Sequence, residues 1–188
     1  VPAARAPLHG AQANGTVRDR AGRRWFATTQ GLFVLHPDGR MQRYAEAQGL
    51  ADRRIRLVHE TGDGRLLVGS YRGLYEWRDG RILPLGHDTG LGDATMVTAF
   101  HELDDGRWII GSTEGEELRL YDGQRWTRLG RDQGVPANIA FHIASAHGYL
   151  WVAGMRGVYR LPLAGLAEAA AGGRPGPGGG GINCRARP

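Results

Sequence analysis

Residues 64–77, GRLLVGSYRGLYEW, decide the fold, because the same arrangement of residues recurs three more times along the chain. The related stretches are GRRWFATTQGLFVL at 22–35, GRWIIGSTEGEELRL at 106–120 and GYLWVAGMRGVYRL at 148–161. A period of this size is typical of a repeat protein in which each unit forms one supersecondary element. Three columns keep an interval of 42 residues: Gly31, Gly73, Gly115 and Gly157; Gly22, Gly64, Gly106 and Gly148; and Trp25, Leu67, Ile109 and Trp151.

Each unit has the pattern of four short strands. In the third unit they are predicted at 97–103, 107–112, 117–121 and 125–129, where apolar residues recur at every second position. Glycine separates the strands, since it enters a tight turn with positive φ at little cost. Asp-Gly pairs stand at five of these turns, at 38–39, 63–64, 79–80, 105–106 and 122–123.

Four strands per unit and a period in the low forties predict the blades of a β-propeller. The predicted fold class is all-β, a partial propeller of about four blades with four antiparallel strands each. Helical solenoids have similar periods, but residues 16–161 lack helical periodicity, and a β-sandwich needs no strict repeat. Residues 1–15 are then a leader or the end of a preceding blade, and the blades lie at about 16–53, 54–95, 96–137 and 138–161.

The sequence changes character after residue 161. LPLAGLAEAAA at 161–171 is predicted to form a short helix, and the Gly- and Pro-rich tail at 172–188 is predicted to be disordered. The array thus stops after the third strand of its fourth unit. We expect the chain to be a portion or a truncated product of a longer array, with the remaining blades of a parent chain as partners. The tail is either a linker or the product of a broken reading frame.

Charge and composition exclude several classes of protein. All 24 basic residues among the 188 are arginine, and they form no long run, so the net charge of +5 predicts no nucleic-acid partner. The single cysteine, Cys184, cannot form an intramolecular disulfide. No stretch approaches the roughly 18 apolar residues of a membrane span, and VPAARAPLHG lacks the apolar core of a signal peptide. We therefore expect no membrane contact by this segment.

Two sets of columns have a structural explanation. The Trp25 column is predicted to pack between blades, together with Val17, Ile55, Val97 and Ile139. Leu57, Ala99 and Phe141 follow the last three at a step of two, which is strand periodicity. His59 and His101 share a column next to Glu60 and Glu102, where they could line the channel, bind a metal or form structural hydrogen bonds. His142 and His147 fall out of phase, so no third ligand is at a useful spacing, and we expect neither a metal nor a cofactor.

The candidate binding surface is the end of the propeller that carries the second-to-third-strand turns and the connections between blades, called here the loop face. The Asp-Gly turns occupy the opposite end and are monotonous, whereas the loop face carries polar residues that differ between repeats. Variable side chains on rigid strands are a common construction of binding sites. The predicted ligand-binding residues are Arg53, Tyr71, Arg72, Thr113, Glu114, Met155 and Arg156, near Thr29, Gln30, Asp52, Asp93 and Asn138.

The repeat resembles the two-component regulator propeller repeat, in which an acidic Gly turn precedes W-[FVI]-x-[GAT]-[ST]-x-x-G-[LV]-[YF]. This pattern stands in GDGRLLVGSYRGLYEW, DDGRWIIGSTEGEELRLYDG and GYLWVAGMRGVYRL, with Gly49-Leu50, Gly90-Leu91 and Gly134-Val135 between blades. Leu67 and Ile109 depart from it where Trp is usual, and Glu116-Glu117 stands where Leu-Tyr is usual. The resemblance implies the sensing part of a bacterial histidine kinase or GGDEF diguanylate cyclase, periplasmic or otherwise extracytoplasmic.

Three functions are compatible with the sequence. The first is a noncatalytic sensor module that binds a glycan, a small molecule or a protein, with no enzymatic activity in this chain. The second is a lyase resembling the streptogramin-inactivating enzymes, in which the His59 and His101 column would supply a general base. The third is a protein-interaction scaffold.

Overall fold

A computed structural model describes residues 10–85, 89–91, 95–166, 168 and 181–182. It contains four sheets of four strands, each in the antiparallel order first, second, third, fourth, which confirms the predicted all-β propeller of four blades. The first blade comprises β1 (Ala13–Arg18), β2 (Arg24–Thr28), β3 (Gly31–Leu35) and β4 (Met41–Tyr44); the second β5 (Ile55–Glu60), β6 (Leu66–Ser70), β7 (Gly73–Arg78) and β8 (Arg81–Pro84); the third β9 (Val97–Glu102), β10 (Trp108–Ser112), β11 (Leu118–Tyr121) and β12 (Trp126–Leu129); the fourth β13 (Ala140–Ala146), β14 (Tyr149–Gly154), β15 (Gly157–Pro162) and β16 (Gly181–Ile182).

The first strands lie innermost. Strand β5 contacts β1 on one side and β9 on the other, and β9 contacts β13, so the four sheets follow one another around a common axis. Short 3-10 turns at Glu46–Gln48 and Arg131–Gln133 begin two of the connections between blades. Each ends at a glycine with positive φ, Gly49 at 111° and Gly134 at 76°, a conformation in which a side chain would be strained.

Three apolar cores hold neighbouring blades together, one at each interface. Trp25, Leu67 and Ile109 are fully buried, and each faces the next blade along the chain. Burying side chains of this size stabilises the fold by about 1.5–3 kcal/mol each. Trp151, the fourth member of the column, is only half-buried. In the first three blades, the column therefore marks the face that is directed toward the following blade.

The third repeat departs from the interval of 42 at its second hairpin. Gly31, Gly73 and Gly157 open the third strands of their blades with φ of 133°, 105° and 112°, whereas Gly115 lies in a 3-10 turn, Glu114–Glu116, before β11. Strand pairing places Arg119 opposite Ile110, where the other blades have Phe33, Tyr75 and Tyr159. The equivalence of Gly115 with Gly73 is thus wrong by two residues, because this turn is longer.

The polar substitution in the third blade is neutralised locally. Arg119 and Glu117 are both buried, and their side chains approach to 3.5 Å. Arg119 also donates a hydrogen bond to the carbonyl oxygen of Leu91, and Arg128 donates one to Glu117. A charge taken out of water needs such partners. The ion pair occupies a position at which the neighbouring blades bury an aromatic ring.

The fourth repeat departs from the interval at its first strand. Ala140, not Ile139, takes the place of Ile55 and Val97, because Ala140 pairs with Gly154 and is fully buried, while Ile139 is half-buried. An extra residue before β13 is compensated by a hairpin at His147 and Gly148 that is one residue shorter. His142 rather than Phe141 then matches Leu57 and Ala99.

Val17 packs against the core between the first two blades, as predicted, but its place in the column of Ile55 needs correction. Val17 pairs with Trp25, as His59 pairs with Leu67 and His101 with Ile109. It therefore belongs to the histidine column, and Ala13 is the equivalent of Ile55.

The predicted tail contributes one strand. Gly181–Ile182 pairs with β15, which gives the fourth blade a fourth strand where the sequence predicts an end after three. Leu163–Gly165 forms a 3-10 turn at the start of the predicted helix, and Leu166 is buried in the core between the third and fourth blades. Residues 167 and 169–171 of that helix, the leader at 1–9 and, apart from 181–182, the tail with Cys184 lie outside the described residues. No helix in the described part is both long and apolar enough to cross a membrane.

Candidate functional site

The loop face groups the predicted binding residues by blade. In the second blade, the Arg54 guanidinium lies 4.4 Å from the ring centre of Tyr71. The same group forms an ion pair with Asp52, and this hydrogen bond, outweighing burial, holds the pKa of the Asp52 carboxyl below its usual value. Arg72 and Arg53 are exposed. Arg54, and not the predicted binding residue Arg53, therefore lies against Tyr71.

In the third blade, the Glu114 side chain is held by hydrogen bonds from neighbouring residues. Its Oε2 accepts hydrogen bonds from Thr95 Oγ1 at 2.9 Å and from Arg119 Nη2 at 3.0 Å. The Thr113 amide donates to the carbonyl oxygen of Met96 at 3.4 Å. These contacts join the longer turn of this blade to the connection that precedes it, so Glu114 has a structural role.

In the fourth blade, Met155 and Arg156 form the turn between β14 and β15. Met155 is 63% exposed, the highest value among the large apolar side chains of the described residues. Arg156 forms an ion pair with Glu116 of the third blade and donates to the carbonyl oxygen of Ala137. The buried Asn138 accepts a hydrogen bond from the Arg156 amide and donates to the carbonyl oxygen of Gly157. This turn is held in place across the blade interface.

A groove of about 420 Å³ lies beside this turn. Arg131 and Arg156 supply cationic groups at its walls, and Val135, Pro136 and Ala137 of the connection between blades supply apolar surface. Of the predicted residues, the groove therefore contains Arg156. Asp93, grouped with this face in the sequence analysis, lies outside the described residues.

A second candidate site lies on the axis, where no site is predicted from the sequence. A β-bulge interrupts each of the four innermost strands at the same place, between the first and third residues in β1, β5, β9 and β13. A bulge adds an unpaired residue and changes the direction of its side chain. The residues added are Asn14, Arg56, Thr98 and Phe141. All of them line one cavity of about 270 Å³, together with Leu57, Val58, His59, Ala99, Phe100, His142 and Ile143.

Two polar atoms at this axial cavity are buried without a hydrogen-bond partner, Thr98 Oγ1 and Arg56 Nε. Asn14 differs, because its amide donates to the carbonyl oxygen of Ile55 in the next blade at 2.7 Å. Polar groups buried in this way are rare in native proteins and call for a partner.

The two histidines of the shared column lie at different blade interfaces. His59 stacks on Phe100, with ring centres 4.6 Å apart, and its Nε2 is 3.8 Å from Glu102 Oε2. His101 lies one interface further on, where its Nε2 is 2.9 Å from Ser145 Oγ. Burial lowers the pKa of both rings, and the charge of His59 lowers that of His101 further.

The adjacent glutamates cap turns of the preceding blade. Glu60 accepts a hydrogen bond from the Arg20 amide at 3.1 Å, and Glu102 accepts one from the Gly62 amide at 2.7 Å. Within the described residues, no group of three or more His, Cys, Asp and Glu side chains is arranged to hold a metal ion. The histidine and glutamate columns thus serve as links between blades.

The chain matches no protein-family model and no curated protein. Solved structures with the same architecture include the extracellular domain of the hybrid two component system BT4673 of B. thetaiotaomicron, with a TM-score of 0.70 and 18% identity over 95% of this chain. The extracellular domain of BT3049 from the same organism gives a TM-score of 0.64 and 14% identity over 78% of this chain. Virginiamycin B lyase from Staphylococcus aureus gives 0.63 and 11% over 82%.

The chain spans only part of each of these proteins. It covers 22% of the BT4673 domain, 21% of the BT3049 domain and 54% of the lyase. At such identities the similarity concerns the fold alone. This chain has the β-propeller architecture that is found in the extracellular domains of two-component systems and in virginiamycin B lyase.

Proposed function

We propose that the chain is a noncatalytic ligand-binding module of a bacterial signal-transduction protein, located outside the cytoplasm in its parent. The observation that carries this proposal is the loop face, where polar side chains that differ between repeats lie in turns between rigid strands and where one of them, Arg156, borders a groove. The likeness to extracellular domains of two-component systems supports the same role. The proposed ligand is a glycan, a small molecule or a protein.

The test is a binding screen with the whole chain against a glycan array and, by thermal shift, against a panel of small metabolites. A ligand that binds only the folded state raises the melting temperature. For any ligand found, Arg72→Ala and Arg156→Ala should weaken binding, while Arg81→Ala, an exposed substitution on an outer strand, should not. Glu114 is a poor choice, because its loss would disturb Arg119. Equal binding by all three variants contradicts a site on the loop face.

We also propose that further blades of a longer parent chain pack on the fourth blade, on the face that carries Trp151, which is called here its outer face. Trp151 there occupies the column whose other members, Trp25, Leu67 and Ile109, are buried against a following blade. The second, third and fourth blades each turn an apolar face toward the preceding blade. A further blade with such a face would complete the contact. The sequence of the gene on both sides of this reading frame tests the proposal, and flanking sequence without the repeat contradicts it.

A lyase activity is the second candidate, favoured by one observation. His59 borders the axial cavity, and the fold resembles that of virginiamycin B lyase, whose structure with quinupristin carries an inactivating His substitution. His101 is unsuited to act with it, because His101 is engaged with Ser145 at another interface. Incubation with quinupristin followed by mass spectrometry tests this function, and unchanged quinupristin contradicts it.

A further inference from the structure

We infer that the axial cavity binds a small organic carboxylate with an apolar body, through the side chains that the four β-bulges direct toward the axis. The inference rests on the proposed ligand-binding function and names a second place and a ligand chemistry for it.

The four bulges lie at equivalent positions around the cavity, but the side chains that they contribute differ. The residue added by each bulge is the second residue of its strand, and each contributes one side chain to the same space. Those side chains are an amide, a guanidinium, a hydroxyl and an aromatic ring, from Asn14, Arg56, Thr98 and Phe141. Bulges that re-aim side chains are frequent beside functional sites.

The unpartnered polar atoms define what the ligand offers. Thr98 is 6% exposed and its hydroxyl is buried without a partner, and the Arg56 Nε is likewise unpartnered. Both groups donate hydrogen bonds, and a carboxylate has acceptor sites for both. Hydrogen bonds from a guanidinium to a carboxylate are among the strongest in proteins. Both atoms are buried in the cavity wall, so the Arg56 and Thr98 side chains must turn toward the cavity to donate to the carboxylate.

The charge of the lining agrees with an anion. The lining includes the guanidinium of Arg56 and the imidazoles of His59 and His142, and it includes no Asp or Glu. The carboxylate nearest to His59 belongs to Glu102, whose Oε2 also accepts a hydrogen bond from the Gly62 amide. Burial lowers the pKa of His59, so Arg56 is the permanent positive charge of the site.

The apolar side chains of the lining would contact the apolar body of the ligand. Phe141 is 42% exposed, although it lies in a strand, and it borders the cavity with Phe100 and Leu57. A volume of about 270 Å³ is just below the roughly 300–1,000 Å³ of pockets for drug-sized molecules. The site thus fits a ligand of one ring or a short branched chain.

Benzoate and benzamide are suitable probes, since they share a shape and differ in charge. We would titrate each into the isotope-labelled whole chain and follow the amide resonances of Thr98 and Phe100. Benzoate should shift them in a saturable manner, and benzamide should bind about tenfold more weakly or worse, because it lacks the charge that Arg56 recognises. Absence of a shift in tens of millimolar benzoate, or equal affinity for both probes, overturns the inference.

Three variants locate the site. Arg56→Met should weaken benzoate binding about tenfold or more, as expected for a lost charged hydrogen bond, while the matched control Arg81→Met should leave it unchanged. Thr98→Val keeps the shape and should weaken binding severalfold, which keeps the test valid if Arg56→Met does not fold. Equal affinity of Thr98→Val and the unaltered protein, or shifts confined to Tyr71, Arg72 and Arg156, overturns the axial site and leaves the loop-face proposal standing.

Discussion

The indole Nε1 of Trp25 donates a hydrogen bond of 2.7 Å to Oδ2 of Asp19, and both residues are buried. Asp19 also accepts hydrogen bonds from the amide and the Nε of Arg23, at 2.8 and 2.6 Å. The Arg23 guanidinium in turn lies over the rings of Trp25 and of Trp77 in the second blade. A single carboxylate thus fixes the first hairpin and the rings that join the first two blades.

Replacement of Asp19 should destabilise the protein strongly. Asp19→Ala leaves the Trp25 indole and the Arg23 amide without an acceptor, so we expect the free energy of unfolding to fall by about 2–4 kcal/mol. Asp19→Asn, which retains one oxygen, should cost less. Urea denaturation followed by tryptophan fluorescence measures the difference. Asp38→Asn is the control, because Asp38 lies in an exposed turn and should change stability by less than about 0.5 kcal/mol.

Asp19 should also make the first blade sensitive to acid. Burial raises the pKa of its carboxyl, but the hydrogen bonds from Trp25 and Arg23 outweigh burial and hold the pKa below the ordinary value of 3.8. The stabilisation is therefore complete above about pH 4 and is lost as the pH falls through the lower pKa of the folded state. Asp19→Asn should flatten this part of the stability profile. An unchanged acid limb would contradict the assignment.

The two tryptophans of one column should differ in their energetic importance. Trp25→Ala removes a fully buried ring from the core between the first two blades, so we expect a loss of about 3–5 kcal/mol. Trp151→Ala removes a half-buried ring that contacts Arg160, and it should cost less than about 2 kcal/mol. Chemical denaturation of both variants measures the contrast. Equal losses would mean that the outer face of the fourth blade is covered in solution.

Much of the fold can be predicted from the sequence because the turns are punctuated by glycine. The four strands predicted in the third repeat each lie within one or two residues of β9 to β12. The spacing of glycines predicts the wrong equivalent residues only where an insertion is offset by a deletion further along the chain. The turn before β11 is two residues longer while Gly115 keeps its interval, and the extra residue before β13 is removed again in the next hairpin.

The loop-face residues could be chosen from the sequence, but the axial cavity could not. A bulge adds one residue without any change of composition, so a polar residue between two apolar ones has the appearance of ordinary strand alternation. Arg56 stands between Ile55 and Leu57, and Thr98 between Val97 and Ala99. By alternation alone, both side chains point away from the core. Only the strand register shows that they are unpaired and line the cavity.

Close packing of β10 against the innermost strands β9 and β13 should make Gly111 intolerant of a side chain. A Cβ there would lie 2.8 Å from the Ala140 Cβ and 2.9 Å from Thr98 Oγ1, at the interface of the third and fourth blades. We expect Gly111→Ala to cost about 1–3 kcal/mol, because the interface must move apart. Gly15→Ala is the matched control, since no atom lies within 4 Å of its Cβ position. Thermal denaturation of both variants measures the difference, and similar values would contradict the contact.

The histidine column should make the blade interfaces weaken in mild acid. Burial lowers the pKa of His59 and His101 below the ordinary value of 6.5. Nearby carboxylates oppose this shift without cancelling it: Glu102 and Glu60 act on His59, and Asp104 and Glu102 act on His101. The unfolded chain therefore binds more protons just below pH 6.5, and stability should decline as the pH falls from about 7 toward 5. The double variant His59→Gln and His101→Gln should reduce this decline, whereas His147→Asn, in an exposed turn, should not. Melting temperatures measured at half-unit steps of pH would show the difference, and parallel profiles would assign the decline to other groups.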